Sequence, residues 1–146
     1  MSDDCIFCRI ASGKVRAHVV HESDKLIAFL DLNPIRPGHT QIVPKAHIQY
    51  FDQAPAEIVT SIVLLGQTLA SSMKQLYQVP RVGFLFTGGD IAHMHAHVVP
   101  LHEKTDITSR HYIAEARLTF REAPRMSDER LAATATELRH ALGLAD

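Results

Sequence analysis

The chain has 146 residues, 46% of them apolar and 21% charged, with a formal net charge of −1. That length suits one domain with a sizeable core, the composition excludes a disordered chain, and the charge gives no basis for binding nucleic acid or a membrane surface. No nearly apolar run looks long enough to cross a bilayer, and the acidic Met1-Ser2-Asp3-Asp4 is unlike a secretory signal, so the expected location is the cytoplasm.

Cys5-Ile6-Phe7-Cys8 opens the chain and holds both of its cysteines. In the cytoplasm a C-x-x-C pair is more often a metal site or a redox motif than a structural disulfide. A reduced, buried pair and a reversible disulfide stay open. Ser12-Gly13-Lys14 reads as a turn, His18 to Glu22 as a short strand, and Ser23-Asp24 as the turn that ends it. Lys25 to Asp31 is a buried strand pairing back as a hairpin. Asn33-Pro34-Ile35-Arg36-Pro37-Gly38, with two prolines and a glycine, is a loop. His39 to Val43 is the next strand, stopped by Pro44-Lys45 ahead of His47.

From Pro55 to Tyr77 the residues Ile58, Ile62, Leu65, Leu69, Met73 and Leu76 recur on one helical face, the pattern of core packing. Asp52 or Gln53-Ala54 marks its start, with Pro55 near the first turn. Arg81 to Phe86 is a strand, Thr87-Gly88-Gly89-Asp90 a tight turn, and the next strand returns antiparallel. That strand carries His93-Met94-His95-Ala96-His97-Val98. Its period of two sets the three imidazoles on one face and Met94, Ala96 and Val98 on the other, against a core. Tyr112 to Phe120 fits a strand or a helix. Ser127 to Leu142 is a C-terminal helix capped by Ser127 and stopped by Gly143. His102 and His111 are expected to be solvated.

Strands, one long helix, strands and a helical tail favour an α+β domain with the helix on one face of a small antiparallel sheet. No internal repeat, linker or second domain is visible, and neither a G-x-G-x-x-G nor a Walker loop is present.

Three pieces stand in order: Asp31-Leu32-Asn33-Pro34 into Pro37-Gly38-His39, then Val43-Pro44-Lys45-Ala46-His47, then the row His93, His95, His97. Together they resemble the histidine-triad (HIT) family of nucleotide hydrolases and transferases. The likeness runs from about Cys5 to Pro100, leaving 101–146 as an extension of a single domain. The resemblance implies a sheet of about five strands, a homodimer and a small-molecule nucleotide substrate. It implies that His95 attacks the α-phosphorus of an AMP-type phosphoramidate or a dinucleoside polyphosphate through a nucleotidyl-histidine. His97 would hold phosphate oxygens and His39 would orient the catalytic ring or contact phosphate. Asp31 would accept from ribose hydroxyls and Leu32 would pack on the base. A neutral imidazole is a good nucleophile near neutral pH, and neighbouring imidazoles meet the oxyanion charge.

The chain departs from the family pattern just before the row. Many members carry a Gly-Gln-Ser-Val segment there; this chain has Gly89-Asp90-Ile91-Ala92 in a shorter loop. Asp90 either replaces the polar side chain that assists the departing group or is an ordinary turn residue. The C-x-x-C resembles the zinc site of some bacterial members, which implies a structural Zn²⁺ on Cys5, Cys8, His47 and His93, a closed tetrahedral set. Two other readings remain: a nucleotide-binding protein with little turnover, and a zinc-dependent hydrolase with its metal on the histidine row.

Overall fold

The computed structural model describes residues 4–89, 91–107 and 123–144. In chain order its elements are α1 (Ile6–Ala11), β1 (Val19–Glu22), β2 (Leu26–Leu30), β3 (Thr40–Pro44), α2 (Ala56–Tyr77), β4 (Arg81–Phe86), β5 (Ala96–Leu101) and α3 (Asp128–Ala141). A turn of 3-10 helix, Phe51–Gln53, precedes α2. The strands form one antiparallel sheet in the order β1-β2-β3-β5-β4. The α+β architecture, the five strands, the long helix and the C-terminal helix are those expected, with the ends of the first four strands shifted by at most about one residue.

The pleat sorts the sheet into two working faces. Leu26, Ala28, Leu30, Ile42, Ala96 and Val98 point into the main core with α2 and α3, and Met94 joins them just ahead of β5. Ile27, Phe29 and Val43 point the other way and pack with Phe7 of α1. Both faces of β2 are thereby covered, which is why it reads as an unbroken apolar run. On this second face the register sets Phe29 opposite Gln41, and Gln41 opposite His97. Side chains two residues apart share a face, so Asp31 and His39 fall on it as well.

The helix α2 buries Ile58, Ile62, Gly66, Leu69 and Met73, with Leu65 and Leu76 at the margin of the core. Gly66 lets β4 approach: a Cβ there would lie 2.3 Å from the Phe84 ring. The start of the helix differs from expectation. Pro55 is the N-cap without a side-chain bond, and Asp52 and Gln53 belong to the 3-10 turn. By length and composition alone the 22-residue α2 could cross a membrane. Counting uninterrupted apolar runs missed this, because Thr60, Ser61, Gln67 and Thr68 break the run without breaking the stripe. In this fold the stripe lies on the sheet. At α3, the Ser127 hydroxyl accepts from the Arg130 backbone N–H at 3.4 Å, and Gly143 follows with φ of +73°, the expected cap and stop.

Two expectations are corrected. The short helix α1 was not foreseen. Nor does the ladder close directly through the expected turn: Phe86 pairs with Ala96, and among the described residues 87–89 and 91–95 lie outside the ladder. Of the three row histidines, only His97 therefore sits within a strand; His93 and His95 precede it. Asp90, His111 and the ambiguous stretch 112–120 lie outside the described residues. His102 is exposed, as expected.

Candidate functional site

The side chains gather into two adjoining clusters. In the first, Cys5 caps α1 and Cys8 lies on its inner side. The Cys5 Sγ is 3.4 Å from His93 Nδ1, and the Cys8 Sγ is 3.2 Å from His47 Nδ1 and 3.6 Å from His93 Nδ1. These ligand atoms all lie within 4.8 Å of one another. Zn–S and Zn–N bonds in a tetrahedron put sulfur and nitrogen about 3.5 Å apart, so the spacing fits. The His93 Nε2 lies 2.8 Å from the Pro44 carbonyl. A carbonyl only accepts, so Nε2 carries the proton and Nδ1 is left bare toward the thiols, as a ligand must be. Burial pushes the His93 imidazole below its ordinary value, with a partial counter-effect from that Pro44 bond. The four residues expected to hold zinc are thus the four brought together, and their donor set matches that of a structural zinc.

The second cluster is built from β2, β3, β5 and the loop between β2 and β3. Gly38 turns that loop with φ of +94°, and a Cβ there would lie 2.6 Å from the Tyr77 ring at the end of α2. Only glycine fits both demands, and His39 follows it at the entry to β3. Arg36 anchors the same loop by donating from Nε and an NH2 group to Asp106 at 2.7–3.0 Å. Desolvation alone would raise the Asp106 carboxyl; the Arg36 guanidinium and the backbone N–H groups of Glu103 and His102 reverse this and hold it at about 2.

Hydrogen bonding fixes which ring nitrogens carry protons. The Ile35 backbone N–H donates to His39 Nδ1 at 3.2 Å, so the neutral ring bears its proton on Nε2. That Nε2 donates to His97 Nδ1 at 2.9 Å. His97 then carries its proton on Nε2, which faces Thr87 Oγ1 at 3.4 Å. His95 has the opposite tautomer: its Nδ1 donates to the His93 carbonyl at 2.7 Å, leaving Nε2 with a free lone pair. The His95 and His97 rings lie 4.9 Å apart, and the Phe7 ring meets His95 edge-on at 5.1 Å. Burial lowers His39, and burial followed by the neighbouring His39 and His95 lowers His97 to about 4. Both rings stay neutral near pH 7.

Asp31 is held by the Asn33 backbone N–H at 2.8 Å and by Gln41 Nε2 at 2.6 Å. It shares a cavity of about 280 Å³ with Gln41, whose apolar walls include Ile6, Phe7, Ile10, Phe29 and Leu32. Sequence reasoning missed Gln41, Thr87 and Phe7. A polar residue at the middle of the strand read from His39 to Val43 was the available sign for Gln41.

Asp31, His39 and His97 also lie close enough to suggest a cation site. A metal would need the lone pair of His39 Nε2, and the Ile35 N–H that occupies Nδ1 forbids that tautomer.

The antiparallel sheet and the histidine row are those of the histidine-triad class of proteins, the class the motifs resemble. The HIT domain model matches residues 12–104, more than half of the chain, and the chain belongs to that family. Among its relatives is an uncharacterized HIT-like protein of Methanocaldococcus jannaschii, 34% identical over 103 residues, covering 68% of this chain and 80% of that one. An adenylylsulfatase of Arabidopsis thaliana is 26% identical over 109 residues, covering 71% of this chain and 55% of that protein. A Zn-bound histidine triad family protein from Mycobacterium smegmatis superposes with a TM-score of 0.74 at 26% identity, covering 96% of this chain and 94% of the other.

Proposed function

We propose that the chain is a nucleotidyl hydrolase or transferase that attacks the α-phosphorus of a nucleotide with His95 Nε2. The observation that carries the reading is the 2.7 Å bond from His95 Nδ1 to the His93 carbonyl, which leaves the other nitrogen bare beside a neutral His97 donor. Membership in a family that includes hydrolases and nucleotide-binding proteins supports it, as does the adenylylsulfatase relative.

In the first step the His95 Nε2–phosphorus bond forms as the bond to the departing group breaks. That group takes the bonding pair and, where it leaves as an amine, a proton from solvent. In the second step the water oxygen bonds to phosphorus as the His95 Nε2–phosphorus bond breaks, Nε2 takes back its lone pair, and the nucleoside monophosphate forms as the water gives one proton to solvent. His97 Nε2–H meets the phosphate oxygens, His39 fixes the His97 tautomer, Asp31 accepts from the ribose and Leu32 covers the base. Preorganised donors of this kind are usually the largest contribution to such catalysis.

Cys5, Cys8, His47 and His93 would hold zinc. Bound there, the ion supplies a closed structural crosslink, and because His93 also offers its carbonyl to His95, the same residue serves both clusters.

Incubation with an AMP-amidate or a dinucleoside polyphosphate tests the reading. Wild type is expected to turn over at least one and to yield a nucleotidyl adduct on quenching, and His95→Ala is expected to lose both. Tight binding without turnover would favour the binding-protein reading instead. The same proposal includes a homodimer. Among the described residues nothing pairs with the outer side of edge strand β4, and Phe84, Val63 and Leu64 are exposed. A mass near that of two chains in light scattering is expected; a monomer at micromolar concentration would refute it.

A further inference from the structure

Where β4 ends and β5 begins, a second cavity of about 130 Å³ opens beside His95. It shares no lining residue with the larger cavity that holds Asp31 and Leu32. Thr87, the residue facing His97 Nε2, lines it too. Its walls carry the rings of Tyr50, Phe51 and Phe86 and the carboxylate of Asp52, and among the described residues no lysine or arginine lines it. Phe51 and Phe86 stack with centroids 5.4 Å apart and planes 17° apart. Tyr50 leans over Gly88, where φ is +64° and a Cβ would lie 3.2 Å from its ring. Phe51 is 53% exposed, so its ring is open to a ligand, while Phe86 rests against the main core.

We infer that Tyr50, Phe51, Phe86 and Asp52 form a subsite that reads the tail of the departing group, preferring an aromatic or positively charged tail and rejecting an anionic one. The inference rests on His95 as nucleophile, since a substrate whose nucleoside fills the larger cavity needs a second space beside that ring. Aromatic faces stack on flat rings and attract cations. A sulfate, carboxylate or polyphosphate would meet a carboxylate and no compensating cation, a like-charge contact that suppresses the wrong ligand. Size agrees: the cavity approaches the roughly 150 Å³ that accommodates benzene, and is less than half the 280 Å³ of its neighbour.

The test keeps the scissile bond constant and varies the tail. Adenosine 5′-phosphoramidates of phenethylamine, 1,5-diaminopentane, butylamine and 4-aminobutyrate present an aromatic, a cationic, a neutral and an anionic tail on the same P–N bond. The kcat/KM values for the aromatic and cationic amides are expected to exceed that for the anionic one by about tenfold. Asp52→Lys should collapse the cation-over-anion ratio by a similar factor. Phe51→Ala should lower the aromatic-over-neutral ratio about fivefold. Both residues are exposed, and unchanged thermal unfolding checks that the variants keep the fold. Equal rates for all four tails, or a preference indifferent to both substitutions, would overturn the subsite while leaving His95 as nucleophile. Absence of turnover and of any adduct with all four would remove the nucleophile as well, and the subsite with it.

Discussion

At Gln41 a single amide decides where the Asp31 carboxylate is held. A carboxylate only accepts hydrogen bonds, so the Nε2 end must face Asp31, and it does so at 2.6 Å. The carboxylate is meanwhile 3.8 Å from His39 Nε2, too far to take that proton from His97. Among the described residues the arrangement leaves Gln41 Oε1 buried without a donor, which costs about 1–3 kcal/mol. In Gln41→Leu the carboxylate is free to move onto His39. An adjacent anion favours imidazolium, so the acid limb of kcat/KM should shift to higher pH by about one unit, while the global stability should not fall. A pH–rate profile with an unmoved acid limb would show that Gln41 does not position Asp31.

The element on which most depends is α1. Six residues cannot hold a helix in water by themselves, so α1 stays in place through Phe7 and through the Cys5/Cys8 cluster with His47 and His93. It also brings Ile6, Phe7 and Ile10 to the cavity that holds Asp31. Zinc should therefore support nucleotide binding without touching the nucleotide. Near-stoichiometric zinc is expected in freshly purified protein, and Cys8→Ser should lose it. That variant should also bind AMP about tenfold more weakly by calorimetry, comparable to losing one buried aromatic contact. Far less than one zinc per chain in the native protein would reject the site, and undiminished AMP affinity in the zinc-free variant would reject the coupling.

For the whole molecule, burial of imidazoles predicts acid sensitivity. His97 is lowered from the ordinary 6.5 to about 4, and His39 is lowered in the same direction. Asp31, His95, Thr87 and each other are the polar groups that face them. Between about pH 6.5 and 4 the unfolded chain binds more protons than the folded one, so stability declines as pH falls. The His97 contribution is complete above 6.5 and lost by about 4, and that of His39 is lost in the same direction. Thermal unfolding across that range should show the decline, and His97→Gln should flatten it. An unchanged slope in the variant would place the sensitivity elsewhere.

Much of this was already legible in the chain. Alternation by two in the strands and the spacing of Ile58, Ile62, Leu69 and Met73 are local properties, because pleat and helix turn dictate which side chains share a face. The motifs were equally local, and they led to the histidine-triad family and to the four cluster residues. What the sequence could not hold is direction: which way His93 turns, which nitrogen of each ring carries a proton, and what holds the carboxylate. Those depend on the carbonyls of Pro44 and His93, the Ile35 N–H and the Gln41 amide, groups that meet only after distant segments pack. The helix α1 is of the same kind, since a helix too short to persist in isolation exists through the contacts it makes.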